Sequence, residues 1–204
     1  MSAPTWFITV LSAMIASQIV RLHQQDAGSW ILWDYAGRLA GLAMLVAIPS
    51  ARAVAFRRDK LRMSLSTTSL WIAAIVFTGL SAGRWLARTG NAAFPMTVIG
   101  AYPRPAGWLY LVDITLGLML VAVSEEIVFR RCARDVLQPY LGDGHGLVLA
   151  TSLLFACYHW WAGIGSIVEA FAMGILLMSF LQRTGAIWPV VLAHYLVDVA
   201  AFWW

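Results

Sequence analysis

Glu125-Glu126-Ile127-Val128-Phe129-Arg130 closes an apolar run that begins at Trp108, setting two acids and a base inside a stretch long enough to cross a bilayer. Each ionised side chain at the centre of a membrane helix costs about 2.5–3.5 kcal/mol. Such carboxylates therefore need partners, a wet cavity or a chemical task. Later apolar segments supply candidate partners in His159, His194 and Asp198.

The rest of the chain agrees with a membrane setting. Of its 204 residues 61% are hydrophobic and only 12% charged, with eleven Trp, which is outside the range of a soluble domain of this length. The apolar runs are continuous rather than alternating, and lipid offers the backbone no hydrogen bonds, so the expected fold is all-α: a polytopic transmembrane helix bundle. Seven runs qualify, at 5–22, 31–51, 69–87, 108–130, 147–162, 166–182 and 186–204. An eighth, 92–101, is short and bracketed by Gly90 and Pro103, and reads as a loop or re-entrant piece. Residues 1–204 form a single integral membrane domain in this reading, with 108–204 as its motif-bearing catalytic half. Met1-Ser2-Ala3-Pro4 lacks the positive start of a signal peptide and reads as the beginning of a retained first helix.

The net charge of +4 comes from short loops such as Arg52, Arg57, Arg58, Lys60 and Arg62, which argues against nucleic-acid binding. That loop, Arg130, Arg131 and Arg134, and Arg183 fall on one side of a seven-span bundle. Arg21, Arg84, Arg88 and Arg104 fall on the other. The bias places the N-terminus in the cytosol and the C-terminus outside, in a plasma (inner) membrane. Cys132 and Cys157 form no CxxC or disulfide framework.

Residues four apart share a helix face, so Glu126 and Arg130 are read as a structural ion pair, which leaves Glu125 without a local partner and free for general-base work. A hairpin tip near Gly142 lies 17 residues after Glu125 and 17 before His159. Two antiparallel helices bring both to a similar depth, roughly 20–25 Å from the tip at 1.5 Å per residue. His194 and Asp198 are again four apart, roughly 14–20 Å from a second tip at Thr184-Gly185. Two imidazoles and a carboxylate beside an unpaired carboxylate suit activation of water. Either a divalent metal such as zinc, held by His159, His194 and Asp198, lowers the pKa of the water, or Glu125 and His159 orient it directly without a cofactor, with His194 and Asp198 stabilising an oxyanion. The sequence leaves both open. HExxH does not occur, and Gly79-Leu80-Ser81-Ala82-Gly83, although it has the GxSxG spacing, lies inside the apolar run 69–87 and not at a nucleophile elbow. Asp113 and Glu169 read as interfacial acids, His23 and His145 as loop residues, Ser124 as lacking a base, and Trp30, Trp33, Trp85, Trp108, Trp203 and Trp204 as membrane-interface belts.

The three motifs together resemble the CPBP family of intramembrane proteases, also called the CAAX-protease or Abi bacteriocin-processing family, whose pattern runs EExxxR, FxxxH, then HxxxN or HxxxD. Here these are Glu125 to Arg130, Phe155 to His159 and His194 to Asp198; Phe171-Ala172-Met173-Gly174 and Arg183 to Pro189 are similar to the family's connecting sequence. The resemblance implies peptide-bond hydrolysis in the bilayer, with Glu125 and His159 activating water and His194 and Asp198 as oxyanion stabilisers or metal ligands. Its substrate would be a membrane-associated protein or peptide, such as a C-terminal tail or lipidated segment. Arg131 stands where many relatives have Gly, and Asp198 where the eukaryotic prenyl-protein proteases have Asn. Two other functions fit the same residues: a non-proteolytic, partner-binding or regulatory membrane protein, and a proton or metal transporter.

Overall fold

The structure, a computed structural model, describes residues 2–203. Each of the seven apolar runs contains one long helix, though run 31–51 also takes in the start of a second, short one and Trp204 at the end of the last run lies outside the described residues. Pro4 sits in the first turn of α1 (Ala3–Arg21), where its missing N–H costs nothing. Helix α2 (Ala27–Ala47) starts at Asp26, whose side chain accepts a hydrogen bond from the Ser29 N–H at 2.8 Å. It ends because Pro49 forces Ile48 into an extended conformation, and the chain turns by 109° into the short α3 (Pro49–Ala55). This is an eighth helix that hydropathy did not foresee.

Helix α4 (Leu65–Ala93) is capped by Ser64 and contains a π-helical turn at Gly79–Gly83. Helix α5 runs over 107–141 without a break, with π-helical turns at Asp113–Gly117 and Glu126–Cys132. Helices α6 (His145–Tyr158), α7 (Ile164–Thr184) and α8 (Ile187–Phe202) complete the bundle. Gly142 at φ +67° and Gly185 at φ +71° take the left-handed conformations that let α5–α6 and α7–α8 fold back as hairpins, close to the expected tips. The run 92–101 does not span. It holds the end of α4, a single 3₁₀ turn and an extended piece in which Val98 pairs with Ala162.

Three helices, α1, α4 and α7, are each long and apolar enough to cross a membrane, and the bent pair α2–α3 makes a fourth if it counts as one span. At 14 and 16 residues, α6 and α8 are shorter than the roughly 20 residues that hydrocarbon thickness demands. The distribution of side chains is that of a protein whose solvent is lipid. Leu32, Leu70, Phe77 and Leu116 point outward, while Arg21, Asp34, Arg38, Glu125, Glu126 and Arg130 are buried.

Small residues bring the helices close enough to exclude lipid from this polar interior. Gly37 and Gly41 of α2 lie directly against Ser17 and Met14 of α1, where a Cβ would collide at Gly37 and crowd Met14 at Gly41. Helices α6 and α7 pack together, and α8 lies against α4 and α5.

Candidate active site

The junction of the α-helical segment Leu118–Glu125 with the π-helical turn Glu126–Cys132 places both acids of the opening motif inside the bundle. All seven residues of that turn are buried, because α1, α3, α6 and α8 enclose it. Glu125 and Glu126 face different partners. One oxygen of Glu125, Oε1, receives Arg38 Nη1 of α2 at 2.8 Å; the other, Oε2, has no hydrogen-bond partner and lies 3.9 Å from His194 Nε2. Glu125 thus lacks a partner on its own helix but has one 87 positions earlier, which no local spacing announces.

Glu126 has two neighbours. Its Oε2 is 3.1 Å from Arg130 Nε, the expected i, i+4 contact, and its Oε1 accepts a hydrogen bond from His194 Nδ1 at 2.7 Å. The arginine's planar group stacks over the Phe155 ring at 4.0 Å, and that ring in turn meets His159 and His194 edge-on, with centroids 4.7 and 6.0 Å away. Phe155 is therefore the spacer between the structural ion pair and both imidazoles.

His159 does not lie within its helix, as the apolar run suggested. Helix α6 stops at Tyr158 and His159 is the capping residue, its N–H bonded to the Ala156 carbonyl at 2.9 Å. Its Nδ1 is 2.9 Å from the Phe155 carbonyl. A carbonyl only accepts, so Nδ1 carries the hydrogen and Nε2 of the neutral ring keeps its lone pair. Gln18 of α1 fixes this helix end by donating to the Tyr158 carbonyl at 3.1 Å and accepting from Trp160 Nε1 at 3.1 Å.

On α8, His194 Nε2 is 3.5 Å from Asp198, whose side chain is 20% exposed and so open to the interior space. Glu125, His159, His194 and Asp198 all line one cavity of about 620 Å³. Its wall includes Gln18, Arg21 and Arg38 from the first two helices. Its far end reaches Arg88 and the segment from Val98 to Arg104, opposite the basic loop 52–62. Among the described residues no three His, Cys, Asp or Glu side chains are grouped to hold a metal ion. Both Nδ1 atoms are already committed, to the Phe155 carbonyl and to Glu126, which leaves only the Nε2 atoms of the two imidazoles to meet a metal.

Asp113 and Trp30 fall elsewhere than sequence reading put them. Asp113 is not interfacial: it is 4% exposed and accepts hydrogen bonds from Tyr35 and Tyr102 at 2.6 and 2.7 Å. Glu169 is half-buried and lines the cavity. Trp30 belongs to no interface belt; it is buried against Tyr102, Trp161 and the Arg21 guanidinium, whereas Trp33, Trp85, Trp108 and Trp203 are exposed. Ser124 is no nucleophile in waiting, since its hydroxyl donates to the Val121 carbonyl and accepts from Arg38.

The class of protein defined so far is a helical membrane bundle with an enclosed site of acids and histidines. Residues 106–200 match the family model described as Type II CAAX prenyl endopeptidase Rce1-like, a span just under half of the chain that takes in all three motifs. The match agrees with the resemblance of the three motifs to the CPBP/CAAX-protease family and supports an intramembrane endopeptidase of the CAAX type in general. No curated protein and no solved structure matches the chain.

Proposed function

We propose that this chain is a glutamate-dependent intramembrane endopeptidase that cleaves a membrane-associated protein or peptide, at a C-terminal tail or lipidated segment. The observation that carries the reading is the shared cavity, into which four side chains from three helices converge. Glu125 contributes an oxygen with no hydrogen-bond partner, and His159 a ring nitrogen with a free lone pair.

Water held between Glu125 Oε2 and His159 Nε2 gives a proton to Glu125 as its oxygen bonds to the scissile carbonyl carbon. Negative charge moves to the carbonyl oxygen. His194 can carry hydrogens on both ring nitrogens, Nδ1–H to Glu126 and Nε2–H to that oxyanion, with Asp198 beside the same Nε2 at 3.5 Å. When the C–N bond breaks, Glu125 returns its proton to the leaving amine, and the products are a carboxylic acid and an amine. Burial of the site away from bulk water strengthens each of these interactions.

The protein sits in a plasma (inner) membrane with its N-terminus in the cytosol and its C-terminus outside, following the excess of Arg and Lys in the loop 52–62. The cavity then opens toward the outside. Purified protein in liposomes, given a quenched fluorescent peptide with a farnesylated CAAX tail, tests the reaction: Glu125→Gln and His159→Ala each abolish cleavage with the fold intact. Turnover retained in either variant would overturn the assignment.

A further inference from the structure

We infer that Arg38, in the N-terminal half outside the family match, is the positioning residue that aims Glu125 at its water; this rests on the proposed role of Glu125. Arg38 is 4% exposed and lines the cavity. Its guanidinium makes three contacts on α2 and α5: Nε to Asp34 Oδ2 at 2.9 Å, Nη1 to Glu125 Oε1 at 2.8 Å, and Nη1 to Ser124 Oγ at 3.1 Å. Asp34 is itself held by Arg21, whose guanidinium lies against the rings of both Trp30 and Trp161.

The planar fork of Arg38 is therefore fixed at both ends before it reaches Glu125. A carboxylate gripped at one oxygen cannot rotate freely, and here the ungripped oxygen is the one without a hydrogen-bond partner, 3.9 Å from His194 Nε2. Arg38 touches the base and not the reacting atoms, so it sets geometry. A lysine at this position supplies charge but only a point contact, and cannot span Asp34 and Glu125 together.

The test uses the full chain in liposomes with the farnesylated CAAX peptide, comparing wild type, Arg38→Met, Arg38→Lys and Glu125→Gln. Arg38→Met lowers kcat on the order of 100-fold with KM unchanged, the effect expected of a misplaced catalytic group, and Arg38→Lys falls between it and wild type. A second readout needs no turnover: labelling of Glu125 by dicyclohexylcarbodiimide, read by peptide mass spectrometry. A carboxyl freed from its counter-cation inside a membrane takes up a proton and reacts, so Arg38→Met raises labelling at position 125, which Arg38→Lys does not. Wild-type kcat together with unchanged labelling in Arg38→Met would overturn the inference. Turnover in Glu125→Gln would instead overturn the proposed function. If Arg38→Met fails to fold, Arg38→Lys decides: full wild-type kcat and KM there reject the need for the fork.

Discussion

Glu126 on α5 and His194 on α8 are joined by a 2.7 Å hydrogen bond to the ring Nδ1, so the second acid of the motif orients an imidazole as well as facing Arg130. A side chain with two such duties is fully buried, at 0% exposure, and removing its charge strands the arginine. Replacing Glu126 by Gln keeps an acceptor for His194 but leaves Arg130 without its counter-charge. Loss of one partner of a buried pair costs about 3–5 kcal/mol, so Glu126→Gln should melt far below wild type while the surviving folded fraction retains measurable cleavage. Thermal unfolding combined with kcat per folded molecule checks this. A variant as stable as wild type would show that the pair contributes nothing.

Phe155 separates Arg130 from both histidines. Phe155→Leu keeps an apolar side chain of similar size but loses the face that the guanidinium covers at 4.0 Å and the edges that steady His159 and His194. The expected loss is about 1–3 kcal/mol of stability, from the cation–π and aromatic contacts together. A denaturation series on both proteins in the same detergent measures it, and an unchanged midpoint would contradict the spacer role.

Arg131 acts on the opposite face from the cavity. Its guanidinium donates to the Ala55 and Arg57 carbonyls at 2.6 and 3.1 Å and pairs with Asp59, which also accepts from the Ile187 N–H at 2.8 Å. This clamp ties the basic loop to the start of α8. Arg131→Gly, the residue many relatives carry, should lower the melting temperature yet leave kcat of the folded protein within about twofold, because distant sites act independently. A large drop in kcat at unchanged stability would place Arg131 in the chemistry instead.

The proposed reaction needs no metal. Cleavage should survive prolonged treatment with EDTA and dialysis at wild-type rate. Loss of activity restored by added zinc would turn the mechanism to the metal alternative, in which the bound water is the activated group.

Orientation is testable by labelling with a membrane-impermeant maleimide in intact cells, in a background with Cys132 and Cys157 replaced. A single Cys at Arg104, beside the cavity mouth, should label from outside, and one at Arg58 only after the cells are opened. The reverse pattern would place the mouth in the cytosol.

The sequence was most informative where its signals are local. Hydropathy located seven helices, Gly142 and Gly185 marked the hairpin tips, and i, i+4 spacing paired Glu126 with Arg130 and His194 with Asp198. These follow from helical periodicity and from the φ that glycine tolerates, both properties of a few consecutive residues. Arg38 and Gln18 left no such trace, since each owes its importance to a partner dozens of positions away, Glu125 and Tyr158. Asp113 was misplaced for the same reason, because depth within an apolar run does not say which neighbour a side chain meets.

The bundle's class, its motifs and the chemistry open to them were set by the sequence alone. Only the tertiary structure decided that Glu125 is held by an arginine from the N-terminal half, that Glu126 also serves His194, and that four side chains meet at one cavity. Periodicity fixes the face on which a residue lies; the packing of distant helices fixes what that face touches.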